Sequence, residues 1–190
     1  MKTGLWLLLI CTLAGADPLP PPPTTSIFLQ TAGPLQVGQP APDFAGWTTD
    51  DKLIRLSELR AAQGGLVLAF CASWCHHCKT GLSLLESGKS DLLAAGVEVL
   101  LIGLGGTRAE LVAYRTEVGT SRSLLHDKFG AVAEKYGLVV GKDAALPLYV
   151  LIDTTGMVRG LVSQAGGDLV SRLLALLVAP SPVPTGGPVP

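Results

Sequence analysis

Residues 66–78 constrain this chain more than any other stretch. Leu66-Val67-Leu68-Ala69-Phe70 is unbroken apolar sequence, and it leads through Cys71 and Trp74 into Cys75-His76-His77-Cys78. A short apolar run of this kind reads as a strand buried on both faces. The pattern that follows Cys75 reads as a helix reaching to about Gly88. Two thiols three residues apart, where a strand hands over to a helix, have the geometry to make and break a disulfide. A thiol is a useful nucleophile only as a thiolate. The first turn of a helix favours that anion through its free N–H groups and partial positive charge. A second thiol one turn on can then attack a mixed disulfide and release the product. Cys75 and Cys78 are therefore the candidate catalytic residues, and His76 and His77 between them are candidates for tuning the couple.

The rest of the chain supports one domain. With 190 residues and 48% apolar composition there is enough material for a proper core. The net charge of −1 gives no reason to expect a nucleic acid or an anionic membrane surface as partner. Residues 1–16 carry one lysine, an apolar run from Gly4 to Leu13, and Ala14-Gly15-Ala16, which is the pattern of a cleaved secretory signal peptide. Cys11 and the apolar run leave lipid attachment or an uncleaved anchor as alternatives. Residues 17–34 form a linker whose Pro18 and Pro20-Pro21-Pro22-Pro23 favour an extended spacer. Residues 179–190 are again rich in Pro and Gly and read as a disordered tail. The folded unit is expected over residues 35–178. Export places the cysteines where disulfides persist. Of the three outside the signal segment, Cys71 is left over within the apolar strand as a buried, inert thiol.

Strand and helix patterns alternate inside that unit. Ser57–Arg60 reads as one helical turn, Leu66–Cys71 as a strand and Cys75–Gly88 as a helix. Val97–Leu104 reads as a second buried strand, Arg108–Val118 as a helix, and Leu124–Asp127 as a short connection. Lys128–Tyr136 reads as a helix ended by Gly137. Leu148–Asp153 and Met157–Val162 read as strands joined by Thr154-Thr155-Gly156, and Asp168–Leu177 as a final amphipathic helix. The order predicts an α/β fold, a mixed sheet covered by helices on both faces. Charge pairs such as Asp127 with Lys128, and Glu58 with Arg60, read as solvated surface. Tyr114 and Tyr136 read as packing residues.

Four segments together resemble the thioredoxin superfamily, most closely the exported TlpA-like thiol–disulfide oxidoreductases with a redoxin domain. They are Val37–Phe44, Asp51–Arg60, Leu66–Lys79 and Ala145–Gly156, and the likeness runs over about residues 36–178. The resemblance implies a thioredoxin fold, a central mixed sheet flanked by helices with an N-terminal redoxin-type extension. It implies an exposed attacking thiolate at Cys75 and a more buried resolving thiol at Cys78. It implies a cis peptide bond between Leu146 and Pro147, with Pro147 against the sulfurs and the Leu146 backbone free to pair with an extended substrate. Trp74 would be a flat contact surface. Protein thiols and disulfides are the implied substrates, with a membrane redox partner, no cofactor beyond the Cys75–Cys78 disulfide, and a monomeric state.

The chain also departs from that family. Ala69 stands where relatives carry a buried carboxylate or Asn six residues before the first cysteine. Gly81 and Ser83 stand near places that often hold Glu and Pro. Two rival readings use the same residues. Cys75, Cys78 and a histidine could hold copper or zinc, although no second Cys-x-x-Cys is present. Ala41-Pro42-Asp43-Phe44 also opens peroxiredoxin-type peroxidases, whose Thr three residues before the reactive cysteine is replaced here by Ala72.

Overall fold

The computed structural model describes residues 35–59, 64–138 and 145–179. The expected signal peptide, the proline-rich linker and all but the first residue of the tail lie outside these residues, as does Arg60. The central element is β3 (Gly65–Cys71), buried along its whole length. It pairs in parallel with β4 (Val97–Leu104), Ala69 opposite Leu101, and antiparallel with β6 (Leu148–Ile152), Ala69 opposite Tyr149. Strands on both sides and helices on both faces explain why β3 shows no polar alternation. β5 (Leu124–Asp127) and β7 (Val158–Val162) complete a five-stranded sheet in the order β5-β4-β3-β6-β7. A separate antiparallel pair, β1 (Ala45–Trp47) and β2 (Leu53–Arg55), runs into the single turn α1 (Leu56–Leu59).

Residue parity sorts the helices. α4 (Arg108–Val118) lays Leu111 against Gly103, the register partner of Cys71; a Cβ at Gly103 would lie 2.8 Å from Leu111. α2 (His76–Ser87) and α6 (Leu169–Val178) cover the same face, with α3 (Lys89–Ala94) beside them. The opposite face carries α5 (Ala131–Lys135) and the following Tyr136, whose ring lies 5.3 Å from that of Phe70 and 6.1 Å from that of Phe44. The Tyr136 hydroxyl donates to the Pro42 carbonyl at 2.9 Å and so ties the N-terminal segment down.

Three expectations change. Leu124–Asp127 is a strand, not a connection: its backbone pairs in parallel with β4 from Leu101 to Leu104 and closes the sheet edge. Four residues ending in His126-Asp127 are too few to show a strand period. The helix expected from Lys128 starts only at Ala131, because Gly130 takes a left-handed conformation, φ 73°. Asp127 is not solvated surface. It is 5% exposed, and its carboxylate accepts the amides of Val132 (3.1 Å) and Ala133 (2.8 Å), taking up N–H groups that the first turn of α5 leaves without helical partners. α3, β1 and β2 were not foreseen in the sequence pattern, being only six, three and three residues long.

Two predictions test this frame. Asp127→Ala removes the acceptor for two amides at once and should cost about 2 kcal/mol in denaturant unfolding, with Asp127→Asn retaining part of it. At the β6–β7 turn, burial raises the Asp153 carboxyl. The Thr155 hydroxyl (2.6 Å) and the amides of Thr155 and Met157 outweigh burial and hold it below its ordinary value. The unfolded chain then takes up this proton at a higher pH than the folded chain does. The stabilisation is complete above the ordinary carboxylate value and is lost as pH falls through the lowered one. Asp153→Asn should accordingly give a shallower loss of stability on acidification.

Candidate active site

The parallel strands β3, β4 and β5 end at one edge of the sheet, and β6, running the opposite way, begins there. This topology brings Cys71–Cys78 and Leu146-Pro147 to the same edge although about 70 residues separate them, the register being closed by Phe70 opposite Leu148. β3 stops at Cys71. A turn follows in which the Cys75 amide donates to the Ala72 carbonyl at 3.0 Å, and Cys75 becomes the N-cap of α2 with an extended backbone.

Cys75 and Cys78 form a disulfide, with S–S 2.07 Å and Cα–Cα 5.3 Å. The Cys75 sulfur also accepts the amide of Cys78 at 3.1 Å. Sulfur thus does the work that Ser or Asp usually does at this position. No acidic residue lies in the first turn of α2, so nothing there opposes a developing thiolate. Cys78 is fully buried. Cys75, expected to be exposed, is 6% exposed, because its sulfur turns inward onto Cys78 beneath the first turn. What is exposed is the rim: Trp74 at 57%, and His76 and His77, whose rings stand edge to face 6.2 Å apart. Pro147 is buried, its bond to Leu146 is cis, and Leu146 is half-buried.

Cys71 faces the interior at 1% exposure and donates to the Ile102 carbonyl at 3.6 Å; burial pushes its thiol up to about 12. His126 contacts the Gly106 carbonyl through Nε2 at 3.2 Å. Among the described residues no group of three or more His, Cys, Asp and Glu side chains converges as metal ligands would.

The space under α2 holds something the sequence pattern did not single out. Cys78, Gly81, Leu82 and Leu85 form the buried stripe of the helix. Opposite them, Tyr149 rises from β6 beside Ala69, and its hydroxyl fills the place of a side chain at Gly81: a Cβ there would lie 1.7 Å from the oxygen. Gly81, a departure from the family pattern, is thus the position that makes room for Tyr149. The signal was a tyrosine within the apolar run Leu148–Ile152, two residues after Pro147, too weak to separate from ordinary packing.

Comparison with known proteins agrees with this geometry. Residues 37–161 match the model of the AhpC/TSA family. The thiol-disulfide oxidoreductase ResA of Oceanobacillus iheyensis is 28% identical over 134 residues, 68% of this chain and 66% of that protein, just under two thirds of it. ResA of Bacillus subtilis is 26% identical over 163 residues, 86% of this chain and 83% of that protein. Among solved structures, a thiol-disulfide oxidoreductase from Bacteroides fragilis superposes with a TM-score of 0.62 at 21% identity, covering 74% of this chain and 100% of that one, a likeness of fold.

The buried Cys71 leads to a labelling prediction. In the reduced native protein at pH 8, iodoacetamide should modify Cys75 first, while the buried Cys71 reacts only after unfolding, as mass spectrometry of the labelled peptides would read. Rapid native labelling of Cys71 would show that the interior is open to solvent. The topology, the disulfide at the mouth of α2 and the family match lead to one assignment: the chain belongs to the AhpC/TSA family and carries a thioredoxin-like redoxin domain.

Proposed function

We propose that this thiol–disulfide oxidoreductase acts in the cell envelope and exchanges disulfides with other proteins through Cys75-His76-His77-Cys78. The observation that carries the proposal is the Cys75–Cys78 disulfide at the start of α2, with a backbone N–H directed at the Cys75 sulfur. A client thiolate attacks the Cys75 sulfur, the Cys75–Cys78 bond breaks, and Cys78 leaves as a thiolate that takes up a proton. A second client thiolate then attacks the client sulfur of the mixed disulfide and expels Cys75 as a thiolate. Two electrons have passed from the client dithiol to the protein, and the client carries the new disulfide. Read backwards, the same steps reduce a client, with Cys75 attacking and Cys78 resolving.

The rim suits a protein client. Trp74 offers an exposed aromatic face beside the sulfurs, and aromatic residues supply much of the contact energy at protein interfaces. In this reading Pro147, which has no N–H, lies against the disulfide, and the Leu146 backbone pairs with an extended client segment. His76 and His77 stabilise the Cys75 thiolate by hydrogen bonding or positive charge, which favours the reduced form and makes the disulfide more oxidising. No cofactor takes part. The export pattern of residues 1–16 and the proline-rich spacer support an envelope location for a monomeric domain that exchanges electrons with a membrane redox partner.

Equilibration with glutathione should yield a two-electron couple lost in Cys75→Ala and in Cys78→Ala. Cys78→Ala should accumulate mixed disulfides with protein clients, and Cys75→Ala should not; equal trapping by both would sink the assignment of Cys75 as the attacking sulfur. Replacing either histidine by Ala should raise the Cys75 thiol pKa by about one unit and make the couple more reducing. Rapid peroxide turnover, far beyond that of a free thiol, would instead favour a peroxidase.

A further inference from the structure

Resting on that assignment of Cys78 as the leaving and resolving sulfur, we infer that the Tyr149 hydroxyl is a donor held in reserve for Cys78, unpartnered while the disulfide is closed and hydrogen-bonded to the Cys78 sulfur once it opens. Three observations carry this. Tyr149 is 1% exposed, and among the described residues its hydroxyl has no hydrogen-bond partner while the disulfide is closed. The hydroxyl lies against Gly81, one helical turn from Cys78 on the buried stripe of α2, where residues i and i+3 are neighbours. The cross-strand neighbour of Tyr149 is Ala69, which brings no polar atom of its own side chain to this space.

The energetics give the arrangement a direction. A buried hydroxyl without a partner is unfavourable, and the cost falls only on the state in which it lacks one. With the disulfide closed, the Cys78 sulfur is bonded to Cys75 and is a poor acceptor. Reduction by two external thiols delivers two electrons and two protons, breaks the S–S bond and leaves the external pair as a disulfide. Cys78 departs first as a thiolate in an apolar space, where an ion without a donor is expensive. A hydroxyl one turn away supplies the donor, stabilises the leaving thiolate and so favours the reduced state. Burial and the neighbouring Cys71 thiol push the tyrosine hydroxyl's own pKa up, which keeps it protonated and able to donate. Tyr114 on α4 likewise buries an unpartnered hydroxyl, and Cys71 bonds to Ile102. Tyr149 is distinguished by its contact with the helix that bears Cys78.

The test is Tyr149→Phe, which keeps the ring and removes only the oxygen. Wild-type equilibration with glutathione checks the redox assignment itself; the difference between wild type and variant checks this inference. The expected result is a shift of the glutathione equilibrium towards the disulfide by about tenfold, roughly 30 mV for a two-electron couple. In a Cys75→Ala background, the Cys78 thiol, followed by thiolate absorbance against pH, should titrate higher once the oxygen is gone. Thermal unfolding should show the oxidised variant as stable as the oxidised wild type or more so, and the reduced variant less stable than the reduced wild type. A purely structural tyrosine would shift both redox states alike. An unchanged equilibrium with an unchanged Cys78 titration overturns the inference. If Tyr149→Phe does not fold, 3-fluorotyrosine at position 149 keeps the shape and makes the hydroxyl a stronger donor. The equilibrium should then move towards the dithiol, and no movement overturns the inference equally. Loss of the Tyr149→Phe effect in Cys71→Ala would place the donor on Cys71 and also overturn it.

Discussion

The start of α2 is where one sulfur atom serves structure and chemistry together. A helix leaves its first N–H groups without partners, and a Ser, Thr or Asp cap usually takes one of them. Here the Cys75 sulfur accepts the Cys78 amide, so the cap is itself the reacting atom. An acceptor of this kind changes strength with oxidation state. A thiolate accepts more strongly than a disulfide sulfur and also meets the positive end of the helix. The fold therefore biases the couple before any side chain contributes. It can do so only because β3 is anchored on both sides and delivers Cys75 to a fixed place.

That anchoring comes from close approach of the layers. Gly103 lets Leu111 of α4 reach the sheet under Cys71, and Gly81 lets α2 settle onto the Tyr149 hydroxyl. At both positions a methyl group would collide with a side chain, that of Leu111 or Tyr149, which would have to move. The sheet edge is held in turn by polar groups turned inward: Asp127 on the amides of α5, and Glu86 taking the Thr120 hydroxyl and the Arg122 guanidinium, an ion pair in which both side chains are mostly buried. Buried polar groups of this kind are worth most when every partner is satisfied. The unpartnered hydroxyl of Tyr149 beneath the active-site helix stands out against that background.

Much of the fold was legible in the residues. The apolar run of β3, the strand Val97–Leu104, the helix Arg108–Val118 and the hairpin around Thr154-Thr155-Gly156 carry periods and turn residues strong enough to read directly. β5 was hidden because four residues cannot display a period and its last two are His and Asp. Asp127 read as solvated because its burial depends on α5 folding back over it. The exposure expected of Cys75 assumed a free thiolate, whereas the sulfur is turned onto its partner.

What the chain determined by itself was chemical type and order: two cysteines one helical turn apart after a buried strand, and a proline opening a later strand. Local periodicity and covalent spacing suffice for that, since each lies within a dozen residues. Which distant residues meet was decided only by the sheet. Parallel pairing of β3, β4 and β5 with antiparallel β6 brought Leu146-Pro147 to the end of the sheet where β3 leads into the disulfide, set Tyr149 opposite Ala69 and put its hydroxyl beneath Gly81. Register and close packing are long-range properties, and no local pattern encodes them.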